Sequence, residues 1–176
     1  MGFQTGAPNK MNLQCINSLD TDRAHHLFMQ CCTSERWVEK MVAGRPYVDP
    51  NSLRETADQS WDQMREKDYL QAFDGHPKIG DVNSLKAKYA NTKELASGEQ
   101  SGANQANDQL MISLAKENRA YEEKYGFIFI VCATGKSAED MLNLLRARLN
   151  NDRHRELEIA SEEQRKIFHL RLEKIL

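Results

Sequence analysis

Apolar positions recur along most of this chain at the three- and four-residue spacing of amphipathic helices. Leu19, Leu27, Phe28 and Cys31 predict a first helix after Asn12, and Trp37, Val38, Met41 and Val42 a short second one. The second should stop at Gly44, because Pro46 cannot continue it. Ser52 and Glu55 fit a capping box, and Leu53, Ala57, Trp61 and Met64 follow as a stripe expected to run to about Tyr69. A brief amphipathic piece spans Ser84 to Tyr89. Ser97 and Gln100 give a second capping-box signature, which opens the longest expected helix. Leu110, Leu114, Asn118 and Tyr121 lie along its stripe, and Gly126 is its stop. Ser137 and Asp140 open another helix, with Met141, Leu142, Leu145 and Leu149 as its core face. A closing helix carries Leu157, Ala160, Ile167, Phe168 and Ile175.

One stretch leaves this rhythm. "FIFIVCA" (127–133) is apolar throughout and suits a buried strand by propensity. No second strand is apparent for it to pair with, so it is expected to be an extended buried connector. The chain shows no repeats, low-complexity tracts or linker. The pattern predicts an all-α fold, a single-domain helical bundle over residues 12–176, preceded by a loose polar segment at 1–11.

Composition changes this picture little. The 176 residues suit one core, and the apolar (40%) and charged (28%) fractions are ordinary for a soluble domain. The net charge of −2 argues against nucleic-acid binding driven by phosphate neutralisation. No apolar run approaches the roughly 18 residues of a membrane span, and "MGFQTGAPNK" lacks the apolar core of a signal peptide. A cytoplasmic location is the default expectation. Cys15, Cys31, Cys32 and Cys132 form no CxxC pair, and no His cluster has metal-ligand spacing, so buried reduced thiols and no metal are expected.

Three segments carry candidate chemistry. In "FDGHPKIG" (73–80), Pro77 biases His76 toward an extended backbone, while Gly75 and Gly80 let the chain turn and a ligand approach. An imidazole held so is suited to proton transfer near neutral pH. The same residues also fit a helix-ending turn with a locally bonded His. In "ASGEQSGA" (96–103), Glu99 would sit in a first helical turn, where the helix dipole favours its ionised form and free backbone N–H groups attract an anion. The capping box alone also accounts for Ser97 and Gln100. In "YGFIFIVCATGKS" (125–137), an extended apolar segment needs partners for its main chain. Either a flat polar ligand or neighbouring helix ends and side chains supply them. Cys132 is a weak candidate nucleophile, lying in an apolar run without an adjacent base. His25 and His26 have no acidic partner at useful spacing. The charges at 153–166 read as a solvated helix face with i,i+4 pairs, while Arg148 and Arg171 fit a positive charge near a substrate carboxylate and ordinary surface or rim positions equally well.

Taken together, "GHPKIGD", "SGEQSGA", "NRAYEEKYGFIFIVCATGKSAEDMLNLLRARLNND" and "EQRKIFHLRL" resemble, in order, the 2-oxo-4-hydroxy-4-carboxy-5-ureidoimidazoline (OHCU) decarboxylase family. The resemblance covers roughly residues 12 to 176. It implies an all-α, usually homodimeric carboxy-lyase acting without metal or organic cofactor on a small anionic ureidoimidazoline. The implied reaction gives (S)-allantoin and CO2, the last step from urate to allantoin. His76 matches the catalytic histidine, Pro77 a ligand-contacting proline, and Glu99 and Gln100 the Glu-Gln pair. The main-chain contacts fall on Phe129, Ile130, Val131, Cys132 and Ala133. Some members place a serine three residues before the glutamate; this chain has Ala96 there and Ser97 one place later, so the implied hydroxyl contact is either lost or made from the shifted Ser97. The competing expectations are a hydrolase or isomerase of a related ureido compound, and a non-catalytic helical interaction module.

Overall fold

The computed structural model describes residues 11–77, 82–89 and 100–176, without the side chains of 84, 87–89 and 100–107. The fold is all-α: regular structure among the described residues consists of helices alone. In chain order these are α1 (Leu13–Ser18), α2 (Thr21–Met29), α3 (Glu35–Ala43), α4 (Pro50–Asp62), α5 (Glu66–Asp74), α6 (Val82–Tyr89), α7 (Gln100–Tyr125), α8 (Ala138–Arg148) and α9 (Arg153–Ile175). None is long and apolar enough to cross a membrane.

Two expected helices are each divided. The first becomes α1 and α2, because Leu19 turns extended and Asp20 starts a new helix by accepting from Arg23 N at 2.8 Å. The helix expected from Ser52 to Tyr69 becomes α4 and α5. Its start is one turn earlier, at Asp49, whose carboxylate accepts from Ser52 N at 2.7 Å. Ser52 is therefore the inner partner of the box, and Pro50 takes the first-turn position where a missing N–H costs nothing. The chain leaves the helix around Gln63, and α5 restarts when Asp68 accepts from Arg65 N at 2.9 Å. The α3 stop at Gly44, the α7 stop at Gly126 (φ 78°) and the Ser137–Asp140 box of α8 are as the pattern predicts. Segment 127–133 is neither helix nor strand, and within it Phe127 and Ile130 are buried while the rest is half-buried. Segment 1–10, Gly80, Ser97 and Glu99 lie outside the described residues.

The chain divides into two compact units, and the boundary falls between Gly75 and His76 with no change of composition to mark it. The first holds α1 to α5 and the residues from Ser161 onward. Its core centres on Trp37 and Trp61, whose rings lie 5.0 and 5.5 Å from that of Phe168. Their indole N–H groups donate to the carbonyls of Ala57 (3.0 Å) and Ser161 (3.1 Å), so both buried indole N–H groups are paired. Cys31 and Cys32 are buried in this core, whereas Cys15 is exposed. The charges of α9 here reach beyond their own helix: Arg165 pairs with Asp58 at 3.0 Å and Asp62 at 2.5 Å. His25 also finds an acid the spacing did not reveal, Glu35, at 2.5 Å.

The second unit, His76–Ala160, packs α7 on α8 and α6 on α7. Leu114, Tyr121 and Tyr125 of α7 and Met141, Leu142 and Leu145 of α8 are buried. Met111 is buried more fully than its expected neighbour Leu110.

Candidate active site

The bend bearing His76 is built on the end of α5. The last carbonyls of a helix lack intrahelical donors, and here Thr33 supplies one: its hydroxyl donates to Gln71 O (3.1 Å) and Ala72 O (3.3 Å). Gly75 follows in an ordinary right-handed conformation, φ −73° and ψ −8°. It is a glycine for lack of room, because a Cβ there would lie 2.1 Å from the Thr33 hydroxyl oxygen. His76 comes next, half-buried, and Pro77 after it is exposed.

The connector from α7 to α8 is gripped by protein side chains. Phe127 stacks on Tyr125, with centroids 6.0 Å apart and planes at 26°. Phe129 lies between the Tyr121 ring, edge-on at 5.2 Å, and the Arg148 guanidinium, 4.6 Å from its centroid. Arg148 Nη1 donates to Ile130 O at 2.6 Å, and Lys136 Nζ donates to Cys132 O at 2.8 Å. The Lys136 backbone N–H donates to Ala133 O at 3.1 Å. Of the two sources of main-chain partners open from sequence, the protein itself serves these three carbonyls, two through side chains and Ala133 O through the backbone of the following turn.

Arg148 is itself held from behind. Its Nε and Nη2 donate to Glu156 Oε1 at 2.6 and 2.5 Å, and the second Glu156 oxygen accepts from Asn151 Nδ2 at 2.8 Å. Tyr121 OH also donates to Glu156. Glu156 is fully buried and Arg148 is 8% exposed, which corrects the surface reading of both. Burial pushes the Tyr121 phenol well above its ordinary value, and Glu156 adds to this against the opposing Arg148 charge, so Tyr121 stays a neutral donor. Arg171 is likewise tied inward, donating to Cys31 O at 3.0 Å. Burial pushes the Cys31 and Cys32 thiols up to about 12, which leaves both inert near neutral pH.

Phe129, Ile130, Val131, Cys132 and Ala133 thus share one braced strip, and His76 and Pro77 occupy the bend after α5. Glu99 and Ser97 lie outside the described residues, and Gln100 opens α7 with its side chain outside them. Among the described residues no cluster of three His, Cys, Asp or Glu is placed to hold a metal ion. Sequence reading missed the bracing set of Arg148, Glu156, Tyr121 and Lys136. The available signal was the unbroken 127–133 run, whose main chain had to be satisfied by something.

The order of these pieces along the chain is that of known proteins. The profile of the OHCU decarboxylase family matches residues 17–173. The chain belongs to the OHCU decarboxylase family. It is 32% identical over 145 residues to the uric acid degradation bifunctional protein TTL of Arabidopsis thaliana, a match covering 82% of this chain and 45% of that protein. It is 26% identical over 167 residues to the 2-oxo-4-hydroxy-4-carboxy-5-ureidoimidazoline decarboxylase of Amia calva, covering 94% of this chain and 95% of the relative. This OHCU decarboxylase-family chain therefore spans less than half the length of the bifunctional relative and nearly all of the Amia one. A crystal structure of OHCU decarboxylase in the presence of (S)-allantoin superposes with a TM-score of 0.68 at 31% identity, covering 89% of this chain and 97% of that one.

Proposed function

We propose that residues 12–176 act as one catalytic domain that decarboxylates OHCU to (S)-allantoin and CO2, and does so in the cytoplasm as a homodimer. The observation that carries this reading is the near-complete match to an OHCU decarboxylase solved with (S)-allantoin. The chemistry needs no cofactor in this reading. Breaking the C–C bond to the carboxylate leaves an electron pair, and the conjugated C=N and C=O of the substrate ring accept it. The protein's tasks are orientation, charge placement and delivery of a proton to one face.

His76 exchanges a proton with the substrate hydroxyl or ring and turns the departing carboxylate out of the ring plane, with Pro77 against the ligand. Glu99 accepts hydrogen bonds from the ureido or ring N–H groups. Ser97, Gln100 and the main chain of Phe129–Ala133 read the remaining donors and acceptors. The carbonyls of Ile130, Cys132 and Ala133 are already engaged within the protein. In this reading, substrate contacts of the strip therefore fall mainly on its N–H groups and on Phe129 and Val131. The deciding experiment supplies freshly generated OHCU. CO2 release faster than the spontaneous rate, with optically active allantoin as product, is expected. Racemic allantoin at the uncatalysed rate would end the proposal.

A further inference from the structure

We infer that Arg148 is a positioning residue for catalysis, setting the register of the substrate-reading strip through the Ile130 carbonyl and the Phe129 ring. This rests on the assignment of residues 129–133 to substrate recognition. Four observations carry it. The strip has no sheet to fix it, since neither helix nor strand is formed from 127 to 133. Arg148 touches two successive residues of it in two different ways, a 2.6 Å hydrogen bond to Ile130 O and a guanidinium over the Phe129 ring at 4.6 Å. The guanidinium cannot swing, because Nε and Nη2 are locked on one Glu156 oxygen while Asn151 and Tyr121 hold that carboxylate. Finally, the pair is almost wholly removed from water.

A buried ion pair is weak evidence for stability, because packed apolar residues often serve equally well. What apolar residues cannot do is donate to a buried carbonyl. Only the planar fork of arginine grips a carboxylate on one edge and a carbonyl on the other while stacking on an aromatic face. The strip is gripped on the same pattern further along, where Lys136 takes the Cys132 carbonyl. Arg148 and Lys136 thus engage the carbonyls of Ile130 and Cys132, and in this reading the main-chain groups of Phe129 and Val131 serve recognition.

The test is Arg148→Lys, which keeps a cation beside Glu156 but cannot span Glu156 and Ile130 O together. Glu156→Gln, which loosens the lock while leaving Arg148 in place, serves if Arg148→Lys does not fold. Positioning predicts that KM for OHCU rises at least about ten-fold. It also predicts an unshifted pH profile of kcat/KM and faster amide hydrogen exchange confined to residues 127–133. A merely structural role lowers the active fraction, so kcat falls with KM unchanged and exchange quickens across the unit. That pattern, or parental KM and exchange, overturns the inference. If the parent chain does not outrun spontaneous decay of OHCU, the functional reading has failed, and the exchange comparison alone then decides whether Arg148 sets the strip.

Discussion

Gly75 shows how a correct residue can be read for the wrong reason. From sequence it is a flexible turn residue before His76, yet its φ of −73° is open to any side chain. The constraint is Thr33, whose hydroxyl oxygen and Cγ2 would lie 2.1 and 2.5 Å from an added Cβ. Gly126 is the opposite case, with φ +78° and nothing within 4 Å, so only conformation selects glycine there. Gly75→Ala should therefore destabilise the protein by roughly 1–3 kcal/mol through overpacking, read as a lower urea midpoint. It should also reduce turnover, because the displaced backbone carries His76. An unchanged midpoint and rate would show that the Thr33 contact relaxes freely. Glu156 and Arg148 illustrate the other limit. Glu156 sits among alternating charges that look solvated and Arg148 near the end of its helix, and only their placement on different helices of one unit reveals a buried pair.

At the scale of elements, the periodic apolar pattern located the helical segments and the one irregular segment, because burial of one face dictates both. It failed where a new helix starts inside an unbroken stripe, at Asp20 and at Arg65, since the apolar spacing carries on across the interruption. Local capping chemistry decided those points, and of the boxes expected from spacing the one opening α8 formed as expected while that of α4 formed one turn earlier. Ser137 and Asp140 exchange hydrogen bonds at 3.1 and 2.9 Å, as their spacing implied. Ser137→Ala should accordingly cost about 1 kcal/mol by loss of this cap, measured by urea denaturation. The connector was legible as a segment outside helix and sheet, but its bracing was not, because Arg148 and Glu156 come from beyond the segment itself. The His76 bend was legible as a helix end; its buttress, Thr33, was not.

For the molecule as a whole, acid sensitivity follows from three aspartates. Burial pulls the Asp58 carboxyl upward, but hydrogen bonds from His169 (2.8 Å) and Arg165 (3.0 Å) outweigh this and hold it below its ordinary value. Backbone and side-chain hydrogen bonds from Ser137 lower Asp140, and the Arg155 backbone N–H lowers Asp152. A carboxyl with a folded-state pKa below its unfolded value stabilises fully above the unfolded pKa, and loses that contribution as pH falls through the folded one. The urea midpoint should hold as pH drops toward about 4, then decline, and Asp58→Asn should flatten that decline. A midpoint that rises on acidification would reverse the sign of these interactions.

The family assignment came from order along the chain as much as from single residues, since a histidine before proline, a Glu-Gln pair or an apolar run is common alone. The central functional claim concentrates on His76. It is tested most directly by following CO2 release and optical activity from fresh OHCU for the parent chain and His76→Asn in parallel. The account predicts (S)-allantoin from the parent, and for the variant a turnover at least about 100-fold lower, racemic product, and an unchanged circular dichroism spectrum and urea midpoint. Near-parental turnover by a folded His76→Asn variant would contradict it.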